Sequence, residues 1–369
     1  MIAGLAQPLA PLAIAGRLDR LRASFDGLAC DALLVTHLPN VRYLTGFTGS
    51  AATLAVSGRT AVLVTDGRYA IQAVDQLAAA EVLAEIEIAN DAGPAVMAAL
   101  AGAARVGVED EHLSWAVARR VERDWFGGSE VVGISGAVEG LRIIKDAGEV
   151  DRIAFAAAIA DAALAQVRPQ LAQLLTESEF GLELDFAMRR LGASDVSFTT
   201  IVASGPNSAV PHHRPTDRRV EPGDLVVLDF GALFDGYHSD MTRTIRIGEV
   251  DPVRQQLLEV VTAAQAAGVG RAGPGVAVAE VDAACRAVIA DAGWAEYFTH
   301  GTGHGVGLDI HEAPRVSGTV TATLEVGHVI TVEPGVYLPG IGGVRIEDTL
   351  VITTDGAQAL TLTPKDPIV

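Results

Sequence analysis

Apolar positions in the first 145 residues fall in short runs broken by amphipathic stretches. The runs "DALLVTH" (31–37) and "RTAVLVTDGR" (59–68) predict strands, and "RYAIQAVDQLAAAEVLAEI" (68–86), with apolar residues spaced by three and four among helix formers, predicts a helix. An α/β unit over residues 1–145 follows. The spacing then changes: "LRIIKDAGEVDRIAFAAAIADAALAQV" (141–167) predicts a long Ala-rich helix whose first turn is acidified by Asp146 and Glu149, and the domain boundary is placed just before it. Over 146–369, helical patterns at 183–193, 252–272 and 277–293 alternate in blocks with β-type segments. The fold class is therefore α+β.

Two of the β segments share a plan. "DLVVLDFGALFDGYHSDMTRTIRIG" (224–248) and "HVITVEPGVYLPGIGGVRIEDTLVI" (328–352) are each a strand, a Gly-containing turn and a second strand, with one carboxylate on each arm. An internal duplication with two facing hairpins is expected. Asp229 and Asp240 stand eleven residues apart in the first hairpin, and Glu333 and Glu347 fourteen apart in the second. Strand alternation puts Thr242 and Thr244 on the Asp240 face, Thr331 with Glu333, and Arg345 and Thr349 with Glu347.

Four carboxylates on Val-, Ile- and Leu-rich strands need an explanation, because an unpaired buried carboxylate costs several kcal/mol. Only Arg243 and Arg345 are near in sequence, and two arginines cannot serve four acids. A metal resolves the conflict: about four negative charges balance two divalent cations, and oxygen ligands with an imidazole favour Mn or Co, with Zn possible. Thr242, Thr331 and Thr349 are placed to hydrogen-bond the carboxylates from behind. "HGTGHGVGLDIHE" (300–312) supplies imidazoles, and its glycines allow close backbone approach or leave room for substrate. "SGPNSAVPHHRPTD" (204–217) adds His212 and His213, of which an extended segment would turn only one toward the site.

These segments resemble the metal-binding motifs of the pita-bread metallopeptidases, which include prolidase, aminopeptidase P, methionine aminopeptidase and the metal-free creatinases. "NVRYLTGFTGSAATLAV" (40–56) and "VTDGRYAIQA" (64–73) resemble the domain that precedes the catalytic one in the prolidase, aminopeptidase P and creatinase branch. The resemblance implies a creatinase-type domain at 1–145 and a pita-bread catalytic domain at 146–369. It implies that Asp229 chelates one metal, that Asp240 and Glu347 bridge two, and that His304 with Glu333 completes the second. His212, His300 and His311 map to substrate-side catalytic positions. Glu333 is the expected proton carrier, and Arg315 and Arg345 are the expected substrate-binding residues. The implied reaction is hydrolysis before proline, in Xaa-Pro dipeptides or in longer Xaa-Pro peptides. A non-catalytic relative that binds a peptide, and a hydrolase of non-peptide amides, are the other readings.

Composition narrows the partners. A net charge of -19 opposes nucleic-acid binding, no run reaches the length of a membrane span, and the opening "MIAGLAQPLAPLAIAGRLDRL" lacks a basic start and is interrupted by prolines. Cys30 and Cys285 match no zinc spacing and read as reduced thiols. Small proline-containing peptides as substrates, a cytoplasmic location and a homodimer are expected.

Overall fold

The computed structural model describes residues 8–365 and 368; the first seven residues of the opening stretch lie outside that range. Two compact units are present, one from Leu12 to Arg142 and one from Ile143 onward that includes the segment ending at Pro11.

The first unit is built on a six-stranded mixed sheet. Its order is Glu85–Ile88, Ala61–Thr65, Ala52–Ser57, Ala32–Val35, Arg105–Glu109 and Glu130–Ile134. The stretch 68–86 is not one helix. The helix is Ala70–Ala79, Glu81 takes a positive φ of 54°, and the chain re-emerges as the edge strand Glu85–Ile88, parallel to Ala61–Thr65. The reason is readable in "EIEI", whose period of two suits a strand with Glu residues along an open edge.

In the second unit the long helix Ala147–Val167 opens on a reciprocal capping box between Asp146 and Glu149. The helix expected at 183–193 is Glu177–Arg190, started six residues earlier by a second capping box from Thr176 and Glu179. Each hairpin is backed by its own helix pair. Ile159, Leu164, Phe180 and Leu184 pack with Val226, Leu228 and Ile245 in one apolar core. Leu257, Val261, Val281 and Ile289 pack with Ile330, Val332, Val344 and Leu350 in the other. Burial of this apolar surface is the main stabilising term, at ~25 cal/mol per Å².

The hairpin strands pair as Leu225–Phe230 with Met241–Arg246 and as Val329–Val332 with Asp348–Thr353. They face one another across direct bonds: Glu347 N–H donates to the Thr242 carbonyl, and Thr244 Oγ1 bridges the backbone of Arg345. The first turn is longer than a simple loop. It carries a small hairpin, Ala232–Phe234 with Tyr237–His238, closed by Asp235 and Gly236 at positive φ, as a two-residue Asp-Gly turn requires. On the outer side of each hairpin lies a further strand, Ile201–Ser204 beside the first and Gly303–Gly305 beside the second. Cys30 and Cys285 are buried free thiols, and burial pushes Cys285 up to about 12.

Candidate metal centre and substrate cavity

A cavity of about 590 Å³ opens between the hairpins and gathers all ten expected site residues: Asp229, Asp240, His304, Glu333 and Glu347, with His212, His300, His311, Arg315 and Arg345. Ligand atoms of Asp240, His304 and Glu347 lie within 4.8 Å of one another. Glu333 Oε1 stands 3.4 Å from His304 Nε2, and Asp240 Oδ2 3.5 Å from the same nitrogen. Asp229 is turned partly aside, with Oδ2 accepting from Arg345 Nη2 at 2.6 Å.

The electrostatics are those of a site short of positive charge. One oxygen each on Asp229, Asp240 and Glu347 is buried with no hydrogen-bond partner, a state that costs several kcal/mol per ionised group. Burial, reinforced by the neighbouring acids, holds the Asp240 and Glu347 carboxyls well above the usual carboxylate range. Burial also raises Glu333 to about 8 against the pull of Arg345. Arg243 does not relieve them, since it pairs with Asp348. An oxygen-rich set with one imidazole and three orphaned carboxylate oxygens fits divalent cations.

His304 is prepared for such a role. Its strand Gly303–Gly305 lies between Glu312–Val316 and Val329–Val332. A Cβ on Gly303 would collide with the Thr331 carbonyl, and one on Gly305 with the Ala313 carbonyl. These two glycines therefore serve close strand approach rather than clearance for substrate. His304 Nδ1 lies 3.0 Å from the Gly305 carbonyl, which has no proton to give, so Nδ1 carries the hydrogen and Nε2 faces the acids with a lone pair. Burial lowers this imidazole to about 4 and keeps it neutral.

His300 repeats the device with a different outcome. Its Nδ1 donates to the Gly301 carbonyl, so Nε2 accepts from Tyr337 Oη at 2.9 Å, while Tyr337 Oη accepts from Arg345 Nη1 at 2.8 Å. Burial lowers His300 to about 4 as well. Its acceptor atom is thus occupied, and it borders the cavity as a held, neutral ring. His311 stacks edge-on against His304, 4.5 Å between centroids, and is lowered by burial and then by Arg315. His212 is exposed on the cavity wall.

The threonines behind the acids divide. Thr242 Oγ1 donates to Glu347 Oε2 at 2.6 Å and Thr331 Oγ1 to Glu333 Oε1 at 3.3 Å. Thr349, expected to do the same, instead donates to the backbone carbonyl of Asp240, because its strand neighbour across the interface is main chain. Arg345, expected to bind substrate, lines the cavity but is also committed within the chain. It is buried, and its N–H groups go to Asp229, Tyr337, the Pro211 carbonyl and Thr242. Arg315 and Arg214, by contrast, line the cavity with no hydrogen-bond or ion-pair partner for their guanidinium among the described residues. Arg214, Tyr337, Phe198, Thr199 and Ser317 were not singled out from sequence. Tyr337 alone left a signal, since it continues the two-residue alternation from Glu333 through Gly335.

Residues 145–354 match the model of metallopeptidase family M24, and residues 17–144 that of the creatinase/prolidase N-terminal domain. An uncharacterized peptidase of Bacillus subtilis is 40% identical, over 96% of this chain and 99% of its own. Among solved structures, an Xaa-Pro dipeptidase from Bacillus anthracis is 38% identical with a TM-score of 0.92, covering 96% of this chain and 100% of that one. An X-Pro aminopeptidase from Thermotoga maritima is 34% identical with a TM-score of 0.85, covering 94% and 100%.

Proposed function

This chain belongs to metallopeptidase family M24, and from that premise we propose that it hydrolyses the peptide bond preceding proline, with Xaa-Pro dipeptides as its main substrates. The three buried, partnerless carboxylate oxygens of Asp229, Asp240 and Glu347 carry the reading, because they call for cations at the floor of a cavity sized for a small peptide. Asp229, Asp240, His304, Glu333 and Glu347 would hold two divalent ions, manganese or cobalt ahead of zinc, whose chemistry when bound is to lower a water's pKa toward neutrality.

The chain's own groups do the rest. Glu333, held as a carboxylate once cations offset the neighbouring acids, takes a proton from the attacking water and delivers it to the proline nitrogen, which leaves as a secondary amine. His212 and His311 orient the scissile carbonyl and stabilise the oxyanion that forms on it. His300 shapes the wall beside them. Arg315, which has no hydrogen-bond or ion-pair partner among the described residues, takes the dipeptide's carboxylate. Arg345 holds Asp229 and Tyr337 in place. The domain boundary is assigned to residues 145 and 146. No helix among the described residues is long and apolar enough to cross a membrane, and a cytoplasmic homodimer acting on small peptides completes the reading.

Release of the first residue from longer Xaa-Pro peptides is the second reading, favoured by the likeness to the Thermotoga maritima aminopeptidase. The deciding experiment compares Ala-Pro with Ala-Pro-Ala after chelation and add-back of Mn or Co. Faster turnover of the dipeptide, dependent on metal, is expected. Activity that survives complete metal removal, or no turnover of either peptide, overturns the proposal.

A further inference from the structure

His212 sits in a turn closed by His213 N–H donating to the Val210 carbonyl at 3.2 Å, and the His213 side chain reaches a buried acid. Glu177, fully buried at the start of the helix Glu177–Arg190, accepts from His213 Nε2 at 2.9 Å. The same carboxylate accepts from Ser204 N and Oγ at 2.7 Å each, from Asn207 Nδ2 at 3.0 Å, and from Thr216 N and Oγ1 at 3.0 and 2.7 Å. All six donors belong to residues 204–216, the segment that carries His212. Burial acts to raise Glu177, but the bonds from Thr216, Ser204, Asn207 and His213 outweigh it and draw the group down to about 2. It is therefore an anion at neutral pH, an acceptor only, and His213 Nε2 must carry a hydrogen.

The other side of His212 is fixed as well. The carbonyl of Pro211 accepts from Arg345 Nη1 at 3.2 Å, and Arg345 also grips Asp229. Ser208 Oγ accepts from Gly343 N–H at 2.8 Å, tying the segment to the second hairpin. Among the described residues the His212 side chain has no such bond and is exposed at the cavity wall, so the hold on its two neighbours is what fixes its backbone. A group that must meet substrate is sensitive to placement, since a displacement of about 1 Å can cost ~10²-fold in rate.

We propose that Glu177 and His213 are positioning residues that hold His212 toward the substrate, an inference that rests on the reading of His212 as a substrate-facing group. His213 gives the segment a donor that anchors it from behind, and Glu177 collects that donor with five others at one point.

The test is a double-mutant cycle on metal-loaded protein with Ala-Pro as substrate. H213F keeps a ring in place but has no donor, and below its melting temperature, which loss of the bond to a buried carboxylate will lower, it should reduce kcat by ~10- to 100-fold with KM little changed. H213Q, whose amide can donate to Glu177, should restore most of the rate. H212A should cost at least as much, and the double variant H212A/H213F should be no slower than H212A alone. Multiplying losses in the double variant, or an unaffected H213F, overturns the proposal. Imidazole ¹⁵N spectra give a readout without turnover: the signal lost in H212A should move in H213F and stay in place in H213Q. Should the wild type fail to cleave Ala-Pro, the substrate reading falls, and these spectra still decide whether His213 positions His212; an unmoved His212 signal in H213F counts against it.

Discussion

The two halves of the catalytic unit each place a strand beside a carboxylate hairpin and each bring a histidine to the cavity, but they hold it by opposite means. In the second half His304 sits inside the strand Gly303–Gly305, buried, its ring fixed by a main-chain carbonyl. In the first half the strand Ile201–Ser204 ends before the histidine arrives, and His212 lies on the following segment, exposed and fixed only through its neighbours. The difference teaches a division of labour. On the roles proposed above, the ligand has to be rigid and dry and is built into a sheet, whereas the substrate-side group has to remain open to the cavity and is braced from behind.

The comparison breaks first at the histidines themselves. His304→Ala should reduce kcat/KM well beyond the ~10- to 100-fold typical of groups that act behind a ligand. His212→Ala should lose about 10²-fold, as expected of one oxyanion or orienting donor, and equal losses from both would erase the division. A second test is protonation in the metal-free protein. The folded chain holds a proton on Glu333 up to about 8 that the unfolded chain releases near its ordinary 4.5, so without metal stability falls as pH rises across that window. Melting temperature in chelator should drop between pH 6 and pH 8 and recover with Mn; a flat profile in chelator would contradict the strained-acid account.

The brace on the first half carries the opposite sign. Glu177 is lowered from 4.5 to about 2, so its contribution is complete above pH 4.5 and is lost as pH falls toward 2. Glu177→Gln should cost on the order of 3 kcal/mol at pH 7, and the gap from wild type should close below pH 3. Denaturant titrations at the two pH values measure it. The smallest contrast lies behind the acids. Thr242→Val should weaken metal binding by ~10-fold because its hydroxyl bonds the Glu347 carboxylate, and Thr349→Val should do less because its hydroxyl bonds main chain.

Much of this was legible in the sequence, and the reason is chemical. Asp229, Asp240, Glu333 and Glu347 stand out because acids on apolar strands violate the burial rule, and alternation then says which threonines accompany them. The edge strand Glu85–Ile88 was hidden by helix formers upstream, although its own period was two. The fate of Thr349 and Arg345 depends on which main-chain atoms the facing hairpin presents, and alternation within one hairpin says nothing of that. Glu177 and His213 lie 36 residues apart, and no local pattern announces a contact made only when helix and segment pack together. The capping box of Thr176 and Glu179 starts that helix six residues before its apolar spacing becomes regular.

We propose that the two hairpins and His304 jointly hold the metal while His212 and His311 face substrate. It is tested most directly by metal content after equilibration with Mn and removal of excess, measured by elemental analysis on wild type, His304→Ala and His311→Ala. Two ions per chain in the wild type, fewer in His304→Ala and an unchanged number in His311→Ala are predicted. Equal loss in both variants, or a wild type that retains no metal, would contradict it.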